Sequence, residues 1–181
     1  MIWLILGVAL WTAAHLFKRV MPEARAKLGD PGKGIMAVAI LVSVVLMVMG
    51  YRSADGAEFW ARNEMMVRLN NLLVLFAFYL YAASGMKTGI TRVIRHPQLT
   101  AVKIWAVAHL LVNGDLASII LFGGMLAWAV VSVIVLNRSA GAWVKNPPVP
   151  VAKEIMAVVG AVVVTGVVMG IHNWLGYQPW G

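Results

Sequence analysis

Hydrophobic residues come in six long continuous runs, separated by short polar stretches rich in Lys and Arg. Nowhere do they alternate with polar residues at the two-residue period of a half-buried strand. The runs cover 2–20, 34–51, 65–86, 99–113, 116–137 and 151–175. A helix that crosses a bilayer needs about 20 apolar residues, with a range of roughly 17–25. The run at 99–113 is the shortest, and reaches that range only if Arg95-His96-Pro97 lies among the headgroups. In hydrocarbon each backbone polar group must find its partner within the protein, so continuous apolar runs span as helices. The pattern predicts an all-α, polytopic transmembrane helix bundle of about six spans, forming one domain over 1–181.

The breaks between runs carry turn chemistry. Pro22, Gly29, Pro31 and Gly32 punctuate a basic linker at 21–33. The loop at 52–64 holds Phe59 and Trp60, which suit a membrane interface. Asn113-Gly114-Asp115 is a tight-turn signal, and three prolines sit in 138–150. Trp174, Tyr177 and Trp180 lie at or past the end of the last run. Lys18 and Arg19 lie at the far end of the first run, and no base precedes it. A secretory signal has the reverse order, so this run is expected to be a retained helix with no transit-like extension before it.

Composition agrees with the pattern. The chain is 61% hydrophobic and 12% charged, against roughly 45–50% and about 25% for a soluble domain. The absence of cysteine excludes disulfides, iron–sulfur clusters, thiolate-ligated haem and covalently attached c-type haem. A net charge of +8 would suit nucleic acid, but the bases sit in short loops and leave no free basic domain. Lys18, Arg19, Arg25, Lys27, Lys33, Lys87, Arg92, Arg95, Arg138, Lys145 and Lys153 fall on one side. Arg52, Arg62 and Arg68 fall on the other, mixed with Asp55, Glu58 and Glu64. The positive-inside rule puts the base-rich side in the cytoplasm and both termini in the periplasm of a bacterial inner membrane. Arg68 and Asp115 are candidates for an ion pair on the outer side. Gly166 and Gly170, with Gly123 and Gly124, read as close-packing positions within the bundle, with a homodimer interface as the alternative.

Candidate chemistry lies with the histidines, since ionisable side chains inside a span are costly and mark functional sites by default. Trp105, His109 and Asn113 form a stripe at i, i+4, i+8, and Gly7, Trp11 and His15 form a matching stripe in the first run. Neutral imidazole binds iron, copper or zinc, and two imidazoles on facing helices can hold a flat macrocycle. The plain alternative for each is a hydrogen bond to a neighbouring helix. Arg95-His96-Pro97 has its own plain reading as a helix lead-in among lipid headgroups, with Pro at the first helical position. His172, beside Asn173 and Trp174, reads as an interfacial histidine with no special role. At about 1.5 Å per residue, His109 lies roughly 15–20 Å from the base-rich start of its helix and His15 about 5–8 Å from the matching end of its own. Depth alone therefore pairs His15 with His96.

Arg95-His96-Pro97-Gln98, with Trp105 and Ala108-His109 downstream, resembles the NnrU family, whose domain is shared with zeta-carotene isomerases. His15 ahead of Lys18-Arg19, and the ending His172-Asn173-Trp174-Leu175-Gly176, carry the resemblance over nearly the whole chain. It implies a multi-spanning membrane protein that supports bacterial denitrification, in nitrite and nitric oxide reduction. It also implies haem b with His15 and His109 as axial ligands of the iron, Trp11 and Trp105 beside them, and Arg95 and His96 in the signature that lines the cofactor. The related isomerases use such a haem in a redox-dependent isomerisation of a polyene. Ala101 stands where the signature often has Gly, and the chain lacks the longer C-terminal region of the plant isomerases, which leaves enzymatic activity open.

There are two alternatives. Arg-His-Pro also resembles membrane methyltransferases similar to isoprenylcysteine carboxyl methyltransferase, where the signature contributes to binding S-adenosylmethionine. The matching stretch here, 141–148, lacks their acidic and Tyr residues. The non-catalytic alternative is an assembly factor for a membrane reductase. The expected partners are the lipid bilayer and either a denitrification reductase or a small hydrophobic substrate, with no nucleic acid.

Overall fold

The computed structural model describes residues 1–180. Helix α1 is Ile2–Val20, succeeded by the short α2, Pro22–Lys27. Then come α3 (Pro31–Arg52), α4 (Glu64–Met86), a 3-10 turn at Gly89–Arg92 and α5 (Pro97–Val112). Helix α6 is Leu116–Ser139 and α7 is Val151–Trp174. Five of these helices are long and apolar enough to cross a bilayer, and α5 is a shorter sixth. The protein is a helical membrane bundle. Its exposed side chains agree with that: Val38, Leu41 and Val45 on α3, and Val159, Val162 and Val163 on α7, face outward. Such a surface is stable against lipid and prone to association in water.

Helix boundaries reflect local chemistry. Pro31 and Pro97 open α3 and α5, so both helices begin earlier than the apolar runs at 34 and 99 suggest. Proline suits this place because the first helical N–H has no partner to lose. The linker at 21–33 is partly helical, again from a proline, Pro22. Asn63 caps α4 by accepting a hydrogen bond from the Met66 N–H at 3.0 Å. Asp115 caps α6, taking the Ser118 N–H at 2.8 Å and the Ser118 hydroxyl at 2.6 Å. That role, and the Arg68–Glu64 pair at 3.4 Å on the exposed surface of α4, replace the expected Arg68–Asp115 pair.

The bundle is two groups joined by α6. Helix α1 packs along α3, α4 packs with both α5 and α7, and α6 lies between α1 and α5. Small residues set these contacts. A Cβ on Gly50 would collide with the Leu4 backbone, and one on Gly7 with Met47 and the Ser43 carbonyl, so α1 and α3 touch backbone to backbone. Ala77, Leu80 and Ala101 form the α4–α5 core, which gives Ala101 a packing role. Helix α7 contributes Ala157, Ala161 and Thr165, all buried and spaced one turn apart. Gly166 and Gly170 do not pack as expected, for a Cβ on either would meet nothing within 4 Å. Gly124 does pack, against Val8, while Gly123 is open.

One feature of α6 has no precursor in the hydrophobic pattern. Ile119–Gly123 is a π-helical segment. The extra residue in that turn rotates the C-terminal part of α6 relative to its first turn, and such segments are frequent at functional sites.

Replacing Gly50 with Leu forces α1 away from α3. The variant should lose monodisperse protein on detergent size exclusion or drop its unfolding temperature by several degrees, as overpacking costs about 1–3 kcal/mol. Gly170→Leu, with open space at its Cβ, should change stability by no more than about 0.5 kcal/mol in the same assay.

Candidate functional site

The two histidine stripes fold into two similar clusters. On α1 the His15 imidazole packs on Trp11 with centroids 4.2 Å apart, and Trp128 of α6 meets both rings edge-on, at 5.0 Å and 5.4 Å. On α5 the His109 ring lies 4.9 Å from Trp105, and Phe122 of α6 lies 4.6 Å from His109 and 5.1 Å from Trp105. Each cluster is therefore a histidine, the Trp one turn before it, and an aromatic residue from α6. Phe122 comes from the π segment, which aims it at α5, while Trp128 beyond it faces α1.

Hydrogen bonds set the imidazole tautomers. His15 Nδ1 lies 2.9 Å from the Trp11 carbonyl, His109 Nδ1 2.9 Å from the Trp105 carbonyl and His172 Nδ1 2.8 Å from the Val168 carbonyl. A carbonyl only accepts, so Nδ1 carries the proton and the neutral ring presents a lone pair at Nε2. The same arrangement prepares histidines for metals, with one nitrogen anchored and the other free. His96 is reversed: its Nε2 donates to Asn137 Oδ1 at 2.9 Å, leaving Nδ1 as the free nitrogen. Arg95 donates to the Gly141 carbonyl at 2.7 Å, tying the α6–α7 loop to the start of α5.

These side chains line two cavities. One, of about 720 Å³ at the base-rich end, takes in His15, Arg19, Arg95, His96 and Trp128. The other, of about 840 Å³ toward the opposite end, takes in His109, His172, Asn70, Tyr51 and Phe122. Trp11, Trp105 and Met125 line both and form the wall between them. The structure thus brings together Trp11, His15, Arg95, His96 and Trp105, while the His109 ring belongs to the second cavity. Trp128, Phe122, Asn137 and Arg19 were not anticipated as site residues, and His172 was read as interfacial. A Trp in the middle of an oily helix is a visible signal for Trp128. The others depend on which helices become neighbours.

Both cavities fall within roughly 300–1,000 Å³, the usual range of cofactor sites. Among the described residues no group of three or more His, Asp or Glu side chains could enclose a metal ion. The base-rich cavity instead suits a flat macrocycle that brings its own metal. His15 offers a free Nε2, aromatic rings form the walls, and Arg19 and Arg95 provide positive charge for acidic substituents. Trp11 Nε1 and Trp128 Nε1 are buried without hydrogen-bond partners. Unpaired buried donors are costly, and these two lie inside the packed aromatic cluster of α1 and α6.

A model of the NnrU family, described as NnrU protein, matches residues 3–179. Neither the curated proteins nor the solved structures yield a match.

Trp128 separates packing from hydrogen bonding, since it is only 8% exposed and its N–H is unpaired. Trp128→Ala should destabilise the detergent-solubilised protein by about 3–5 kcal/mol through the cavity left behind. Trp128→Phe keeps a ring and removes the orphan donor, and should retain most of that stability in the same thermal unfolding measurement.

Proposed function

The chain belongs to the NnrU family, and from that premise we propose that it is a haem-b-binding inner-membrane protein. The base-rich cavity is the binding site and the base-rich end faces the cytoplasm. One observation carries this reading: His15 of α1 and His96 at the start of α5 line one cavity that also contains Arg19 and Arg95. Bound there, haem would supply one-electron redox chemistry. His15 is the principal ligand through Nε2, because its Nδ1 is anchored on the Trp11 carbonyl. His96 is the second imidazole of the cavity, oriented by Asn137. Arg19 and Arg95 neutralise the acidic edge of the macrocycle, and the Trp11 and Trp128 rings wall it.

The pairing of His15 with His109 that the family resemblance implies is the second reading. It is favoured by the free Nε2 of His109 and the matching aromatic clusters. It requires the Trp11–Trp105 wall to open. In either case the proposed role is redox support of nitrite and nitric oxide reduction, with an isomerase-like use of the same haem as the catalytic alternative.

The test is an absorption spectrum of the protein purified in mild detergent with haem supplementation. A Soret band is expected, strongly reduced in His15→Ala, shifted in His96→Ala and unchanged in His109→Ala. Loss in His109→Ala with no change in His96→Ala would make His109 the second ligand. Absence of any band after supplementation would remove haem from the reading altogether.

A further inference from the structure

The cavity toward the opposite end takes no part in the proposed haem site. Its wall is aromatic and aliphatic: Trp105 and Phe122 on one side, Phe78 of α4, and Val44 and Val48 of α3. Val44 and Val48 are 39% and 51% exposed, and α3 and α4 do not pack closely against each other. The cavity opens between these two helices. An apolar molecule dissolved in the bilayer has a route in.

Two acceptors on that wall are unspent. His109 and His172, from α5 and α7, each spend Nδ1–H on their own helix and present an Nε2 lone pair. The neighbouring amides each spend one N–H within the protein. Asn70 Nδ2 donates to Asn71, Asn71 Nδ2 to the Pro179 carbonyl and Asn113 Nδ2 to the His109 carbonyl. Ser118 gives its hydroxyl proton to Asp115, so the Tyr51 hydroxyl donates to Ser118. Arg52, Arg62, Tyr177 and Gln178 also line the cavity. A ligand that meets the two imidazole nitrogens carries two donors, and the aromatic wall favours a flat, apolar body.

We propose that this cavity binds a membrane-soluble hydroquinone, with its two hydroxyls donating to Nε2 of His109 and of His172. The ring lies among Trp105, Phe122 and Phe78, and an apolar tail leaves past Val44 and Val48. The segment after α7 covers the site. Gly176 takes a left-handed φ of 88° that turns the chain, and the Asn71 amide holds the Pro179 carbonyl at 2.9 Å. Gly176, Tyr177, Gln178 and Pro179 all line the cavity.

The test is isothermal calorimetry of the full chain in detergent, titrated with duroquinol under reducing conditions and separately with its dimethyl ether. The ether keeps the ring and lacks the hydroxyl protons. Saturable binding of duroquinol is expected, with the ether at least about ten-fold weaker, since each neutral hydrogen bond contributes about 0.5–1.5 kcal/mol. His109→Phe and His172→Phe should each weaken duroquinol by roughly three- to ten-fold. Equal binding of the two compounds, or no saturable heat, overturns the proposal, and this comparison needs no variant to fold. Unchanged duroquinol affinity in both Phe variants also overturns it. So does loss of a haem Soret band in both, because the cavity would then be the haem site.

Discussion

The constraint on which this structure depends is that hydrocarbon offers an imidazole nothing to bond with. Each ring on a spanning helix meets it the same way, by donating Nδ1–H to the carbonyl four residues earlier on its own helix. That carbonyl has a second lone pair to spare beyond the helical bond. The arrangement makes the histidine self-sufficient on one side and leaves Nε2 unspent on the other.

That local bond leads to the division of the bundle. A ring held on its own helix turn lies against the residue one turn below, and at His15 and His109 that residue is Trp. Trp11 and Trp105 then extend toward each other's side of the bundle and, with Met125, separate the two cavities. Helix α6 completes each cluster because its π segment lets Phe122 face α5 while Trp128 faces α1. A regular helix turns by a constant angle of about 100° per residue, so one extra residue in a turn re-aims every side chain beyond it. The small residues elsewhere serve this geometry: Gly7 and Gly50 bring α3 onto α1, and Ala77 and Ala101 bring α4 onto α5.

The two ends of the bundle differ in chemistry as a result. The base-rich cavity combines guanidinium groups, indole rings and two imidazoles, His15 of α1 and His96 at the start of α5. The other combines acceptor nitrogens with an apolar wall that opens between α3 and α4. The proposed occupants differ accordingly, an acidic macrocycle in the first and an apolar donor molecule in the second. Trp11 and Trp105 touch both, so an occupant of one cavity packs against the wall of the other.

Much of this was legible in the order of residues. Hydrophobic run length determined the spans, since the thickness of hydrocarbon sets a helix length independent of neighbours. Proline and Asn63 marked helix starts, and the i, i+4 spacing of Trp11 with His15 and Trp105 with His109 placed each pair on one face. Depth along the helix pairs His15 with His96, which line one cavity, whereas the family resemblance pairs His15 with His109, whose ring lines the other. The residue order could not determine which faces meet. The small-residue spacing of Gly166 and Gly170 looks the same whether it packs or faces lipid, and here Ala157, Ala161 and Thr165 take the contact instead. The π segment, the partnership of His96 with Asn137 and the shared cavity of His109 and His172 are likewise properties of the assembled bundle. Spans are decided by the solvent and each helix alone. Sites between helices are decided by rotation about their axes, and that is fixed only when all the side chains pack at once.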